Sequence, residues 1–94
     1  MKRIPKAFSL MGHRITVSII HPRDWAHGEC VGLYEPDKNH ISILRQSRTT
    51  NMHTFWHEAS HAMLNVMGHR LYSNEQFVDT LGGLIAQIND SAEH

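Results

Sequence analysis

The chain has 94 residues, with nine basic and nine acidic side chains and a formal net charge of zero. This length suffices for one small domain, which we expect to span residues 1–94. The balanced charge argues against a nucleic-acid-binding protein that relies on a broad basic surface. Cys30 is the sole cysteine, which excludes a disulfide framework and a cysteine-based zinc ribbon, and we expect its side chain to be buried.

The sequence contains no apolar segment long enough to cross a membrane, so we expect no membrane association. Residues 1–3 resemble the start of a signal peptide, but residues 4–6 (Ile-Pro-Lys) interrupt the apolar region that would have to follow. We therefore expect a cytoplasmic protein. The sequence does not predict its oligomeric state.

The first half of the chain carries β-strand patterns. Residues 14–19 alternate polar and apolar side chains, and residues 8–11 form an earlier strand or the start of the same one. Residues 31–35 and 40–44 are two short β-prone segments separated by the turn sequence 36–39, and together they predict a hairpin. We therefore expect a small antiparallel sheet of about three strands.

The second half is predicted to be helical, which makes the fold class α+β. A first helix is predicted from about residue 51 to 67, with Gly68 as its left-handed terminal residue. A second, antiparallel helix is predicted to begin at Ser73, with Gln76 completing a capping box. The predicted apolar stripe of the first helix consists of Met52, Trp56, Ala59, Met63 and Met67. The predicted core face of the second consists of Phe77, Leu81, Leu84, Ile85 and Ile88.

The first helix contains the pentapeptide His57-Glu58-Ala59-Ser60-His61. Residues four apart share one helical face, so the imidazoles of His57 and His61 can reach one ion. Neutral imidazole suits Zn²⁺, which tolerates three protein ligands and one open position. Glu58 lies about 100° round the helix, where it can act as a general base beside the ion rather than as a ligand.

A third ligand is expected from the second helix, where Glu75 and Asp79 are also four residues apart. Small residues continue this face at Gly82, Gly83 and Ala86, and we expect them to allow close packing of the two helices. The structural alternative is that the two glycines simply weaken the helix.

These residues resemble the gluzincin type of zinc peptidase, in which the second helix carries an Asn-Glu-x-x-x-Asp pattern that residues 74–79 match. The resemblance implies that His57, His61 and Glu75 bind one Zn²⁺ per chain and that Glu58 is the catalytic base. It also implies that Asp79 hydrogen-bonds the far nitrogen of His57. The size and order of elements are similar to compact phage- or prophage-encoded metallopeptidases, including the ImmA/IrrE-like group.

One departure leaves the third ligand open. Only 13 residues separate His61 from Glu75, and a tight connection between antiparallel helices would bring Asp79 level with His61. Asp79 is therefore an alternative third ligand. A metzincin-type site is excluded, because Met67 stands where that motif has its third histidine.

The resulting expectation is zinc-dependent hydrolysis of a peptide or protein substrate, with Glu58 as general base. By the same resemblance, the strand at residues 40–44 would be an edge strand that receives an extended substrate. No residue is assigned to stabilise the oxyanion that forms during hydrolysis. The candidates are Tyr72, His53, His69 and Arg48. The alternatives are a non-catalytic, zinc-stabilised regulatory or protein-binding domain, and a metal-free helical interaction module.

Overall fold

The computed structural model describes residues 3–94 as a four-stranded sheet followed by two helices, so the predicted α+β class is confirmed. Met1 and Lys2, which begin the segment considered above as a signal peptide, lie outside the described residues. The elements are β1 (Ala7–Leu10), β2 (His13–Ile20), β3 (Gly32–Glu35), β4 (His40–Leu44), α1 (Arg48–Val66) and α2 (Glu75–Ser91). Between Arg3 and His94, neither helix is both long and apolar enough to span a bilayer.

The sheet is mixed, and the prediction of about three purely antiparallel strands is wrong in this respect. Its strand order is β1-β2-β4-β3, with β1 antiparallel to β2, β3 antiparallel to β4, and β2 parallel to β4. Residues 21–31 connect β2 to the β3–β4 hairpin. This connection allows β4 to pair with β2 in the same direction. Alternation of side chains predicts each strand but carries no information about this long-range pairing.

The predicted hairpin over residues 31–44 is confirmed. Tyr34 pairs with Ile41 across β3 and β4, and the turn between the strands ends at Asn39, which has a φ of 48°. Asparagine tolerates this left-handed conformation better than most residues do. The hairpin makes β3 an edge strand and places β4 inside the sheet.

The hydrophobic core lies between the sheet and α1. Its buried members come from β2, β3, β4 and α1, and they are Ile15, Tyr34, Ile41, Ile43, Phe55, Ala59 and Ala62. Helix α1 packs against β3 and β4, and α2 packs mainly against α1. The layers therefore run in the order sheet, α1, α2, and α1 carries contacts on both sides.

Helix α1 begins three residues earlier than predicted, because Ser47 is its N-cap and its hydroxyl accepts from the Thr50 N–H at 3.2 Å. Gly68 has a φ of 65°, as predicted for the residue that ends the helix. The predicted apolar stripe is only partly correct. Ala59 is buried and Trp56 packs on the core, but Met67 is 62% exposed.

Helix α2 differs more from its prediction. Asn74, not Ser73, is the N-cap, and its side-chain oxygen accepts from the Phe77 N–H at 2.9 Å. The predicted core face is wrong, because the buried residues of α2 are Val78, Gly82 and Ala86. Several members of the predicted face lie at the surface instead, with exposed fractions of 38% for Phe77, 54% for Leu84 and 66% for Ile88.

Candidate metal centre

Two neighbouring turns of α1 and the first turn of α2 bring three side chains together. One ligand atom each from His57, His61 and Glu75 lies within 4.8 Å of the other two. The Nε2 atom of His57 is 3.2 Å from Glu75 Oε1, and the Nε2 atom of His61 is 2.8 Å from Glu75 Oε2. These three residues are therefore close enough to hold one metal ion, with the two histidines expected from their spacing and Glu75 from the resemblance.

The other ring nitrogen of each histidine is held by an oxygen acceptor. His57 Nδ1 is 3.3 Å from Asp79 Oδ1, and His61 Nδ1 is 2.8 Å from the carbonyl oxygen of Tyr72. A neutral imidazole that donates from Nδ1 presents a lone pair at Nε2. Both lone pairs then face the Glu75 carboxylate, which is itself an acceptor, so a cation held between them would satisfy all three groups.

This donor set fits zinc. Imidazole nitrogens and a carboxylate are usual zinc ligands, and ligands about 2.0–2.2 Å from a tetrahedral ion lie roughly 3.3–3.5 Å apart. The 3.2 Å between His57 Nε2 and Glu75 Oε1 is close to that separation, whereas the 2.8 Å between His61 Nε2 and Glu75 Oε2 is shorter and has the length of a hydrogen bond. Histidine ligands also commonly donate their second N–H to a carboxylate or a carbonyl, the arrangement present at both rings.

Asp79 lies outside the group of three. Its carboxylate contacts His57, and it is the Glu75 carboxylate that lies between the two histidines. The connection formed by residues 67–74 is long enough for α2 to begin with Glu75 opposite both imidazole rings. Asp79 lies one helical turn after Glu75 and reaches only the far side of His57. This geometry favours Glu75 over Asp79 as the third ligand.

Glu58 is buried between α1 and the start of β3, with only 7% of its surface exposed. Burial raises the pKa of its carboxyl above the ordinary value, whereas His57, His61 and the backbone N–H of Tyr34 oppose the rise. Gly32 allows this close packing, because a Cβ there would lie 2.5 Å from Thr54 Cγ2 and 3.0 Å from Glu58 Oε2. The sequence carries no signal for Gly32, because its role depends on a contact between distant segments.

Gly82 allows α2 to approach α1 at the metal centre. A Cβ on Gly82 would lie 2.9 Å from the Trp56 carbonyl oxygen and 3.0 Å from the His57 backbone. Ala86 is also buried, so close packing through these two small residues is confirmed. For Gly83 the prediction is wrong, since nothing lies within 4 Å of a Cβ placed there.

Two open cavities flank Glu58. One of about 360 Å³ lies on the His57 side, and one of about 270 Å³ lies on the His61 side. Both are lined by Cys30, Gly32, Glu58 and Glu75, so they adjoin each other at the start of β3. Together they form a cleft that runs beside the edge strand and past the three candidate ligands.

Two of the four candidate oxyanion groups lie at this cleft. His53 lines the cavity on the His57 side, and Tyr72 lines the other, where burial raises the pKa of its phenol above the ordinary value. His69 instead stacks on Phe77 with ring centroids 6.1 Å apart. Arg48 borders a separate cavity at the start of α1.

Cys30 is exposed, so the prediction of a buried thiol is wrong. It lies in the irregular segment between β2 and β3, where the indole N–H of Trp25 donates to its carbonyl oxygen at 2.9 Å. This hydrogen bond fixes the backbone and leaves the side chain at the border of both cavities. A single cysteine without periodic neighbours gives no sequence signal for that position.

Comparison with known proteins identifies no relative, since no family model, curated protein or solved structure matches the chain.

Proposed function

We propose that the chain is a zinc-dependent peptidase in which His57, His61 and Glu75 bind the metal and Glu58 is the general base. The observation that carries the proposal is the convergence of two Nε2 atoms and one carboxylate within 4.8 Å, next to a buried glutamate. Burial matters because a carboxylate with a raised pKa is a stronger base than one in water.

When bound, Zn²⁺ would polarise the substrate carbonyl and activate water, the chemistry that zinc supplies in hydrolases. The role of Glu58 is to accept a proton from the attacking water as its oxygen bonds to the carbonyl carbon. As the carbon–nitrogen bond breaks, Glu58 returns that proton to the leaving amine. Asp79 and the Tyr72 carbonyl hold the two imidazoles in the tautomer that keeps both Nε2 atoms available.

The edge of β3 is the proposed place for the substrate backbone. The prediction that residues 40–44 form the edge strand for the substrate is wrong, because β4 is paired on both sides. Only β3 has an open edge next to the cleft, and an extended peptide can add to such an edge through main-chain hydrogen bonds. The cavities on either side of Glu58 would then receive neighbouring substrate side chains.

The alternative, a zinc-stabilised domain without turnover, requires a metal whose positions are all filled by protein. Asp79 is the nearest candidate for a fourth ligand, but its carboxylate is engaged on the far nitrogen of His57. Three converging ligands and an adjacent open cleft favour a catalytic site over a closed structural one.

The test is Glu58→Gln, compared with Glu93→Gln, which changes an exposed glutamate at the end of the chain. Each protein is incubated with a mixture of unstructured peptides, cleavage is followed by mass spectrometry, and zinc content is measured. Loss of a general base lowers hydrolysis by about 10²–10⁴-fold. We expect this loss in Glu58→Gln with one zinc per chain retained, and no loss in Glu93→Gln.

Zinc loss in Glu58→Gln would show that Glu58 is a ligand, and unchanged cleavage would remove it from the mechanism. A wild-type chain that binds zinc but cleaves no peptide would support the non-catalytic alternative. If protein purified without a His-tag contained far less than one metal per chain and kept its stability in chelator, both zinc-based functions would be excluded.

A further inference from the structure

The outward face of α2 carries an uncovered apolar surface. Its most exposed members are Phe77, Leu84 and Ile88, with exposed fractions of 38%, 54% and 66%, and Leu81 lies between them on the same face. We call these four residues the outer stripe. Because α2 packs on α1 through its opposite face, the outer stripe faces away from α1, and its Phe77 ring is partly covered by the imidazole of His69, which stacks on it.

We propose that the outer stripe is the interface through which two copies of this chain associate. Its residues are spaced by four, three and four positions, the spacing by which two helices pack along a common seam. They extend over about three turns, or roughly 16 Å, along one side of a regular helix. A second copy offers an identical straight stripe, as a two-fold symmetric interface requires.

The surroundings of the outer stripe favour a second copy over a partner recognised by charge. One flank consists of Thr80, Gln87 and Ser91, which are uncharged, and Ile85 lies on the other, so no charged side chain of α2 borders the stripe and two copies meet without charge repulsion. The Thr80 and Ser91 hydroxyls already donate to the carbonyl oxygens of Gln76 and Gln87, at 2.9 and 2.6 Å. Their burial would therefore leave no hydroxyl donor unpaired.

The available area matches a weak dimer. Taking about 200 Å² for each side chain, the middle of the range for aromatic residues, complete burial of the exposed parts of Phe77, Leu84 and Ile88 would remove at most roughly 300 Å² per copy. Two copies would bury roughly 600 Å² of apolar surface, which corresponds to about 1,000 Å² in total, since about 60% of such an interface is apolar. That is the lower limit for a specific interface.

Association would leave the metal centre accessible. Glu75 and Asp79 lie on the side of α2 that faces α1, about half a turn away from the outer stripe. The proposed dimer is therefore independent of the proposed peptidase function, and each can fail without the other.

The test is sedimentation of the full chain over a series of micromolar concentrations, with Leu84→Glu and Ile88→Glu as interface variants. Both side chains are more than half exposed, so the new carboxylates remain in solvent in the monomer. Met11→Glu is the matched control, because Met11 is 77% exposed but lies in the β1–β2 turn. Circular dichroism verifies that each variant is folded.

We expect the wild-type chain and Met11→Glu to dimerise with similar dissociation constants, and both interface variants to weaken the dimer by about tenfold or more. A wild-type chain that stays monomeric at the highest concentration would overturn the proposal. Equal weakening by Met11→Glu would also overturn it, as would interface variants that dimerise like the wild type.

Discussion

At the residue scale, His57 and His61 are oriented by different kinds of acceptor. The Nδ1 atom of His61 faces the main-chain carbonyl of Tyr72, which no side-chain substitution removes. The Nδ1 atom of His57 faces the carboxylate of Asp79, a side chain that is largely exposed. A substitution of Asp79 can therefore change the orientation of His57, a candidate ligand, without replacing His57 itself.

Replacing Asp79 by alanine should weaken zinc binding while leaving its stoichiometry at one per chain. Loss of an acceptor behind a ligating histidine typically lowers metal affinity by about 10–100-fold. Titration against a competing chromophoric chelator measures this change. Asp90→Ala, which removes an exposed acid from the same helix, should bind zinc like the wild type.

Two results would contradict this assignment. Complete loss of zinc in Asp79→Ala would make Asp79 a ligand, as one reading of the short spacing between His61 and Glu75 allows. Equal affinity in Asp79→Ala and the wild type would show that the contact with His57 does not orient the ring.

The sequence predicts this centre as far as its determinants are local. His57, Glu58 and His61 follow from spacing on one helix, and Glu75 and Asp79 follow from a pattern on the next. Gly32 and the Tyr72 carbonyl could not be predicted, because their roles depend on how a strand and a connection meet α1. Spacing within an element identifies ligands, but tertiary packing identifies the groups that support them.

At the element scale, the prediction for the buried face of α2 is wrong, and the reason is that close packing on α1 determines how this helix is oriented. Periodicity favours burying the outer stripe, because this is the most apolar face of the helix. The structure instead buries the face that carries Val78, Gly82 and Ala86. Small residues on that face let α2 approach α1 closely enough for Glu75 to reach both histidines, a requirement that hydrophobic periodicity does not encode.

Gly82→Ala should therefore destabilise the domain and weaken zinc binding together. The added Cβ would meet main-chain atoms of Trp56 and His57 at 2.9–3.0 Å, and a backbone cannot move aside as a flexible side chain does. Overpacking of this kind costs about 1–3 kcal/mol. The displacement of α2 would also move Glu75 away from His57 and His61. Denaturant unfolding and zinc titration measure the two effects.

Gly83→Ala is the matched control at the next position. A Cβ there meets nothing within 4 Å, and alanine favours a helix by up to about 1 kcal/mol relative to glycine. Stability should therefore rise or stay unchanged, with unchanged zinc affinity. If Gly82→Ala bound zinc as tightly as Gly83→Ala, close approach of the helices would not be what positions Glu75.

At the scale of the whole molecule, α2 is the outer layer and packs mainly on one other element, α1. The sheet and α1 share the buried core, whereas α2 rests on α1 through three small buried residues. A metal ion would link α1 to α2, because its ligands would be His57 and His61 of α1 and Glu75 of α2. Zinc would then stabilise mainly the attachment of α2, because it binds only when both helices are in place.

Removal of zinc by a chelator should therefore increase hydrogen exchange in residues 75–91 far more than in β2 and β4. At free zinc about 100 times the dissociation constant, the metal contributes about 2.7 kcal/mol, most of which α2 would lose. Exchange followed by mass spectrometry resolves these segments, because an outer layer that loses a linking ion opens at lower free energy than the core between the sheet and α1. His61→Ala in the presence of zinc should match the chelated wild type, because it lacks one of the three ligands. A uniform increase across strands and helices would mean that the domain unfolds as one unit, and no increase in residues 75–91 would mean that the metal does not hold α2.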